Sequence, residues 1–192
     1  RTLQDIRNVL KSGADKVCIN TAAHKNPTFI KEASLEFGSS TIVVALEAIK
    51  QANGTYLLFV DNGREETGRS AISWAQEVES LGAGEIVLTS VDREGTGEGF
   101  DLDLIKNISQ SVGIPVVAHG GAKDSQDIYQ AIQAGSDAVA ISSILHYKAI
   151  HEIRDHFDLK NVKEGNTRFL DSKQSYGKIS PLGLPEIKKS LT

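Results

Sequence analysis

Short apolar runs alternate along the chain with stretches whose apolar residues recur at helical spacing. The runs are rich in Val and Ile and are mostly bounded by Gly or Pro, which is typical of buried strands. We predict strands at Asp15–Asn20, Thr41–Glu47, Glu85–Ser90, Ile114–Ala118 and Asp137–Ser142. Helices are predicted at Leu3–Lys11, Pro27–Phe37, Ser70–Ser80, Leu102–Ser111 and Ser125–Ala134. Buried strands separated by helices indicate βα units around a parallel sheet.

One apolar segment breaks this alternation of strands and helices. Tyr56–Val60 (YLLFV) follows the pair Asn53-Gly54, which is a strong signal for the turn of a β-hairpin. The segment also comes soon after the predicted strand that ends near Glu47. We therefore predict that a β-hairpin is inserted into the loop after this strand.

The last part of the chain has a different character. Asn161–Pro185 is polar, contains several Gly and Pro residues and has no periodicity. We therefore predict an irregular surface tail over residues 158–185. A short helix of the same domain is predicted to follow over residues 186–192.

The chain also contains an internal repeat. Asp15–Thr21 (DKVCINT) aligns with Asp137–Ser143 (DAVAISS), and the two copies begin 122 residues apart. A (βα)8 barrel of roughly 250 residues that arose from two halves would have about this period. On this interpretation the copies are the fourth and eighth strands. Residues 1–157 would then be a partial (βα)8 TIM barrel with the five C-terminal βα units, and three more units would precede them. Alternatively, the likeness is only that of any two buried βα units.

The composition limits the classes of function. Hydrophobic residues make up 40% and charged residues 24% of the 192 residues, as in ordinary globular proteins. The net charge of −4 argues against nucleic-acid binding through a basic surface. No apolar run approaches the roughly 20 residues that span a bilayer. The single cysteine excludes an internal disulfide framework and a multi-cysteine zinc site, and it favours a cytoplasmic location.

Glu47 is the strongest catalytic candidate. On an extended strand the side chains of Thr41, Val43, Ala45 and Glu47 share one face, which points inward in a barrel. Glu47 ends that face at the carboxyl end of the strand, where the active sites of βα barrels lie. A carboxylate there can act as a general acid or base. The alternative is a solvated carboxylate at a strand end.

Small polar residues and glycines follow several of the predicted strands. Glycine amides and hydroxyls at the start of helices form cradles for anions, and the last two strands of a βα barrel commonly hold a phosphate. We therefore expect substrate or phosphate contacts at Asn20, Thr21, Gly120, Gly121, Ser142 and Ser143. The polar, glycine-rich loop after Glu85–Ser90 adds Thr89, Glu94 and Gly95. Taken singly, each segment is also compatible with an ordinary turn or a solvated loop.

Two opposite charges lie at the other ends of the strands, on the predicted floor of the barrel. Lys16 and Glu85 both occupy inward-facing positions there. Because a buried charge must pair or remain hydrated, a salt bridge between them is expected. The chain has no convincing arrangement of metal ligands, and no metal site is predicted.

Four segments together resemble one family of enzymes, the cyclase subunit of imidazole glycerol phosphate synthase. They are Gly13–Ala23 (GADKVCINTAA), Gly82–Thr96 (GAGEIVLTSVDREGT), Ala118–Ala122 (AHGGA) and Ile141–His146 (ISSILH). The resemblance extends from Arg1 to about Ile153. Like the internal repeat, it implies a (βα)8 barrel whose first three βα units lie outside this chain.

The resemblance implies a lyase of histidine biosynthesis that uses ammonia from a glutaminase partner, with which it forms a heterodimer. Ammonia attacks a ribulosyl-formimino aminoimidazole carboxamide nucleotide, and the products are imidazole glycerol phosphate and an aminoimidazole carboxamide ribotide. Glu47 matches a catalytic aspartate of the fifth strand. The other catalytic aspartate belongs to the first strand, so we expect the 192 residues alone to be inactive. No cofactor is implied.

The resemblance also implies roles for other candidates. The matched residues are Asn20 and Thr21 for substrate contact, Gly121 and Ser143 for the phosphate site, Lys16 and Glu85 for the gate at the ammonia entrance, and Asp15 for contact with the glutaminase.

Some positions depart from the family pattern. Glu47 and Glu94 stand where aspartates are usual, His119 replaces a serine and Lys123 replaces a glycine. These changes resemble cyclase-like paralogues that serve the amidation of surface-polysaccharide sugars, which is the first alternative function. The second alternative is a non-catalytic, phosphate-binding barrel fragment.

Overall fold

The computed structural model of the chain describes residues 1–156 and 177–191, without the side chains of 154–156. The helices are α1 (Leu3–Lys11), α2 (Thr21–Lys25), α3 (Thr28–Phe37), α4 (Ala71–Ser80), α5 (Leu102–Ser109), α6 (Ser125–Gln133), α7 (Ser143–His156) and α8 (Leu184–Ser190). The strands are β1 (Val17–Ile19), β2 (Ile42–Lys50), β3 (Tyr56–Val60), β4 (Glu65–Ser70), β5 (Glu85–Ser90), β6 (Val116–His119) and β7 (Ala138–Ala140). A short 3-10 turn, Ser39–Thr41, leads into β2.

Five strands form a parallel sheet in the order β1-β2-β5-β6-β7. The long strand β2 pairs with β1 through Ile42–Val44 and with β5 through Val43–Ala48. This confirms the predicted succession of βα units and the α/β fold of the (βα)8-barrel family. In the described part of the chain, β1 pairs only with β2, and β7 pairs only with β6.

Two antiparallel strands extend the sheet at the carboxyl end of β2. Glu47–Lys50 pairs with β3, which confirms the predicted hairpin, and β3 pairs in turn with β4. We did not predict β4, because its sequence (EETGRS) has no apolar alternation. Its pairing with β3 is supported by the Thr67 hydroxyl, which donates a 2.8 Å hydrogen bond to the carbonyl of Leu58.

The helices cover one face of the sheet, and the hydrophobic core lies between the helices and that face. Alternate strand residues such as Val44, Leu46, Ile86 and Leu88 are almost completely buried there, together with Trp74 of α4. Burying a side chain of this size stabilises the fold by roughly 1.5–3 kcal/mol. The residues between them face the opposite side, so the alternation of β2 and β5 directs Glu47 and Thr89 to the same face.

The C-terminal segment packs onto this core. Ile179 and Ile187 are only 7% and 3% exposed. The predicted helix is present as α8, but it begins earlier than expected, since the Glu186 carboxylate accepts a 2.6 Å hydrogen bond from the N–H of Gly183 and so caps its first turn. Most of the predicted irregular tail, residues 158–176, lies outside the described residues, so that prediction stays open.

Among the described helices, none is long and apolar enough to cross a membrane.

Candidate functional site

Glu47 lies at the carboxyl end of the central strand and is only 9% exposed. Its Oε1 accepts a 2.8 Å hydrogen bond from Nδ2 of Asn20, and its Oε2 accepts a 2.9 Å hydrogen bond from the backbone N–H of Gly63. Because both oxygens are engaged, the carboxylate is held in one orientation. A carboxylate fixed in this way can exchange a proton with a ligand bound above the sheet.

The turn between β3 and β4 brings the N–H of Gly63 to this carboxylate. Asp61, Asn62 and Gly63 have positive φ angles of 54°, 58° and 73°. The N–H of Asp61 donates a 3.3 Å hydrogen bond to the hydroxyl of Thr21. A Cβ atom on Gly63 would lie 2.6 Å from Cγ1 of Val91. The turn is therefore packed tightly over the ends of the strands.

Asn20 and Thr21, two of the predicted substrate contacts, thus have partners inside the protein. Asn20 orients the Glu47 carboxylate, and Thr21 holds the β3–β4 turn. The Asn20 side chain contacts the catalytic candidate, and Thr21 contacts the turn that carries Gly63. Their direct contact with a substrate stays a prediction.

A row of polar side chains leads from Glu47 across the sheet. Glu47 is the Cα partner of Thr89 on β5, and Thr89 is the Cα partner of His119 on β6. Oγ1 of Thr89 and Nδ1 of His119 share a 3.1 Å hydrogen bond. Since neighbouring strands are about 4.8 Å apart, His119 lies roughly 10 Å from Glu47.

A pocket of about 150 Å³ lies beyond His119, at the ends of β6 and β7. The structure brings together in its lining six of the predicted contacts, Glu94, Gly95, Gly120, Gly121, Ser142 and Ser143. Ser143 is the first residue of the 14-residue helix α7. Free N–H groups and the dipole at the start of a helix favour an anion. The geometry therefore suits a phosphate, whose binding stays a prediction.

The wall of this pocket requires glycine at two successive positions. Gly120 and Gly121 have φ angles of +95° and +104°. A Cβ atom on Gly120 would lie 2.7 Å from the carbonyl oxygen of Ser90, and one on Gly121 would lie 2.2 Å from that of Gly99. The N–H of Gly99 also donates a 2.9 Å hydrogen bond to the carbonyl of Gly121. The β6–α6 loop is thus fixed to the β5–α5 loop.

The β5–α5 loop is anchored at both of its ends. Near its start, Asp92 accepts a 2.8 Å hydrogen bond from the N–H of Lys50. At its other end, buried Asp101 caps α5 through the N–H of Leu104 and accepts a 2.8 Å hydrogen bond from the hydroxyl of Tyr56. Burial, followed by this hydrogen bond, raises the pKa of Tyr56 to about 12. Glu94 and Gly95 are therefore carried by a loop with fixed ends.

The C-terminal segment supports the same loop from outside. Nζ of Lys178 forms a 2.7 Å ion pair with Oε1 of Glu98, and the N–H of Ser180 donates a 3.0 Å hydrogen bond to the carbonyl of Lys123. Between them, Ile179 packs so closely that a Cβ atom on Gly97 would lie 2.7 Å from its Cγ1. The segment therefore joins the two loops that line the pocket.

The predicted salt bridge forms at the opposite end of the strands. Nζ of Lys16 pairs with Oε2 of Glu85, the first residue of β5. The Lys16 side chain is 48% exposed and the Glu85 side chain 19% exposed, so the pair is hydrated rather than buried. Asp15 precedes Lys16 and is exposed. The three residues predicted for the gate and the partner contact thus lie at the same end of the sheet.

Two features of the site do not follow from the predictions made from the sequence. The contact from Gly63 was not predicted, although Asn62-Gly63 is the same kind of turn signal as Asn53-Gly54 and could have revealed a second hairpin. In the sequence His119 is distinguished only by its departure from a family pattern, and no local pattern predicts its hydrogen bond to Thr89. In the described ranges, His, Cys, Asp and Glu side chains form no group of three that could hold a metal ion.

Comparison with known proteins identifies relatives over most of the described chain. A family model described as "Histidine biosynthesis protein" matches residues 1–151. The "Imidazole glycerol phosphate synthase subunit HisF" of Alkaliphilus metalliredigens is 48% identical over 151 residues, which are 78% of this chain and 60% of that protein.

Two further relatives carry the same name. The protein of Endomicrobium trichonymphae is 46% identical over 164 residues, which are 84% of this chain and 63% of the relative. The protein of Pyrobaculum aerophilum is 48% identical over 151 residues, which are 78% of this chain and 59% of the relative. The chain thus spans about three fifths of the length of the curated relatives that it matches.

Proposed function

Because the chain belongs to the histidine biosynthesis protein family, we propose that it carries the cyclase site of imidazole glycerol phosphate synthase. In this reaction ammonia attacks a ribulosyl-formimino aminoimidazole carboxamide nucleotide. Imidazole glycerol phosphate and an aminoimidazole carboxamide ribotide are released. The observation that carries the proposal is the buried carboxylate of Glu47, oriented by two hydrogen bonds at the carboxyl end of the central strand.

Glu47 acts as one member of a general acid–base pair in this proposal. Its position supports the role, since a phosphate held in the pocket would leave the rest of an elongated substrate within reach of the carboxylate, roughly 10 Å away across two strand spacings. The second member is a first-strand carboxylate of the full-length protein, so residues 1–192 alone are proposed to be inactive.

The pocket holds one phosphate of the substrate. Gly120 and Gly121 supply a backbone wall, and Ser142 and Ser143 supply hydroxyls at the start of α7. Glu94 lines the same pocket but carries a negative charge, which opposes contact with a phosphate. We therefore propose that Glu94 contacts a sugar hydroxyl of the substrate, because a carboxylate readily accepts a hydrogen bond from a hydroxyl group.

Ammonia enters at the other end of the sheet. The Lys16–Glu85 ion pair is proposed to be the gate, and exposed Asp15 beside it to contact a glutaminase subunit in a heterodimer. A half-exposed ion pair is worth little to stability, so it can open at a small cost in free energy. The single cysteine and the phosphorylated substrate support a cytoplasmic location.

The decisive experiment is ammonia-dependent turnover of the formimino nucleotide by the full-length protein, which needs no glutaminase. Glu47→Gln keeps the size of the side chain but removes the titrating group, and its single amide oxygen can accept only one of the two hydrogen bonds. We therefore expect kcat to fall by about 10²–10⁴-fold. Glu66→Gln, an exposed carboxylate on β4, is the matched control and should retain parental turnover. Parental turnover by Glu47→Gln would remove Glu47 from catalysis.

A second candidate function is amidation of a surface-polysaccharide sugar by a cyclase-like paralogue. Three observations favour it: a glutamate at position 47, a histidine at position 119 beside the pocket, and a C-terminal segment outside the matched residues 1–151. Glu47→Asp separates the two functions. A histidine-pathway cyclase should turn over the nucleotide as well or better with Asp, whereas a sugar-amidating protein should be inactive on it with either residue.

The third possibility, a phosphate-binding fragment without catalysis, predicts a different result. Such a protein would bind phosphate but show no turnover in its full-length form with either residue at position 47, on the nucleotide or on a sugar acceptor.

A further inference from the structure

His119 lines the pocket, but the proposed function gives this residue no role. It ends β6, lines the pocket and is partly buried. Its Nδ1 is engaged by the hydroxyl of Thr89, which fixes the plane of the ring. In the described part of the chain its Nε2 has no hydrogen-bond partner.

The bond to Thr89 is compatible with both charge states of the ring. A threonine hydroxyl can donate to Nδ1 of the neutral ring, or accept from Nδ1–H of the charged ring or of the other neutral tautomer. Nε2 carries a hydrogen in the charged ring and in the neutral tautomer whose Nδ1 accepts from Thr89. In these two states the ring presents an Nε2–H donor to the pocket, and the donor is stronger in the charged form.

The charges around the pocket favour an imidazolium there once an anion is present. The pocket lining contains one acidic residue, Glu94, and one residue that can become cationic, His119; the other lining residues are neutral. Glu94 has no ion-pair partner among the described side chains. The negative charge of Glu94 repels a dianion bound next to it unless a positive charge lies nearby. Among the lining residues, only His119 can supply that positive charge.

The other charged groups near the pocket already have partners. The pairs and contacts are Arg93 with Glu98 at 3.8 Å, Lys123 with Asp124 at 3.5 Å, and Glu47 with Asn20 and Gly63. From β7 and the start of α7 the lining residues are uncharged. None of these groups lines the pocket, so among its lining residues His119 is the one that can supply a positive charge.

We propose that Nε2 of His119 donates a hydrogen bond to a phosphate oxygen in this pocket, and that the charged ring compensates the phosphate dianion. The inference rests on the proposed function, since it refines how its pocket recognises the substrate. His119 is thus a binding residue, distinct from the acid–base role of Glu47.

Anion binding and ring protonation must then favour each other. Sulfate is a suitable probe, because it stays a dianion across the range in which histidine titrates, whereas phosphate changes its own charge. At constant ionic strength, the affinity of the chain for sulfate should fall by about tenfold between about pH 5.5 and about pH 8, the effect of weakening one hydrogen bond to a charged group.

Two variants separate charge from shape. His119→Gln places an amide N–H near the position of Nε2 without a titrating group, so sulfate binding should persist with little dependence on pH. His146→Gln, an exposed histidine of α7 outside the pocket lining, is the matched control and should keep the pH dependence of the parent. An equal pH dependence in parent and His119→Gln would overturn the proposal. Far-ultraviolet circular dichroism checks that each variant is folded, and His119→Asn serves as a second uncharged variant.

Nuclear magnetic resonance distinguishes failure of this inference from failure of the proposed pocket. Sulfate should shift the ring signals of His119 together with the amide signals of Gly120 and Gly121. If the glycine amides shift and the ring does not, His119 is not the anion contact and only this inference is wrong. If neither responds at any pH, the phosphate pocket of the proposed function is wrong as well. Inorganic phosphate and glycerol phosphate should both displace the sulfate, because the contact involves only phosphate oxygens.

Discussion

The backbone N–H of Gly63 donates a 2.9 Å hydrogen bond to Oε2 of Glu47, so a β-turn sixteen residues further along the chain orients the carboxylate of the central strand. The turn achieves this only because it lies flat against Val91, with no room for a side chain at position 63. Catalysis by Glu47 should therefore depend on a residue that has no side chain to take part in it.

Gly63→Ala should lower turnover while leaving the fold intact. The added Cβ would lie 2.6 Å from Cγ1 of Val91, and we expect the turn, with its N–H, to shift away from Glu47. A displacement of this kind can cost up to about 10²-fold in kcat, and we expect at least about tenfold. Ammonia-dependent turnover of the full-length protein is the measurement.

Gly54→Ala is the control for Gly63→Ala. Its φ of +84° imposes a similar backbone strain, but no atom lies within 4 Å of the added Cβ. It should lose stability without losing activity, and the double variant Gly63→Ala, Val91→Ala should recover part of the turnover. Equal losses of activity in the two glycine variants would show that the contact with Glu47 is not required.

Ser143→Asp should weaken phosphate binding. The substitution adds a negative charge to a pocket built from neutral amides and hydroxyls at the start of α7. The measurement is the increase in melting temperature that phosphate produces. Ser125→Asp, at the first residue of α6 and outside the pocket, is the matched control. Equal protection of parent and Ser143→Asp would mean that phosphate binds elsewhere.

Asp15→Lys should weaken the complex with a glutaminase subunit by reversing one charge in the proposed interface. Asp15 is exposed beside the Lys16–Glu85 ion pair. Calorimetric titration of the full-length protein should give a dissociation constant about tenfold higher, as for a charge pair lost at the rim of an interface. Glu32→Lys, an exposed acidic residue of α3, should leave it unchanged. An unaltered constant in Asp15→Lys removes that residue from the interface.

Stability should decrease on mild acidification because of His24. Its ring lies edge-on to Trp74, with centroids 5.8 Å apart, and its Nδ1 is buried without a hydrogen-bond partner in the described residues. Burial, and then the charge of Arg69, lower the pKa of His24. The unfolded chain therefore binds this proton more readily than the folded protein. The resulting loss of stability is absent well above about pH 6.5 and grows as the pH falls below it.

Urea unfolding at about pH 7.5 and about pH 5.5 measures this effect. The parent should have a lower midpoint at the acidic pH, and His24→Phe should show a smaller decrease, since it keeps the ring but cannot be charged. His146→Phe, at an exposed position, should behave like the parent. A decrease in His24→Phe as large as that of the parent would assign the acid sensitivity to other groups.

Ile179→Ala should release the C-terminal segment from the β5–α5 loop. Ile179 is 7% exposed, and its truncation should cost about 2 kcal/mol, the lower end for a buried isoleucine. Hydrogen exchange at the amides of Gly97 and Gly99 should speed up with it, because the segment supports that loop. Leu184→Ala, at a position that is 48% exposed, should change neither quantity appreciably. Unchanged exchange in Ile179→Ala would show that the loop holds itself in place.

Much of the candidate site followed from position along the strands. Glu47 and Thr41 are separated by an even number of positions on one strand. Because side chains alternate along a strand, this spacing alone places Glu47 on the same, inward face as Thr41. The pocket residues were found in the same way, as those that come directly after successive parallel strands, whose carboxyl ends meet at one edge. β4 was missed, because a polar edge strand held by main-chain hydrogen bonds leaves no apolar pattern.

The sequence by itself determined the succession of βα units, the hairpin after β2 and the residues gathered at the carboxyl ends of the strands. These depend on periodicity and on turn residues, which are local properties of the chain. Only the tertiary structure decided that Gly63 orients Glu47, that Thr89 fixes the ring of His119, and that Ile179 reaches Gly97. Such contacts join residues that are from 16 to more than 80 positions apart. Their geometry is set by how whole elements pack, and no local pattern records it.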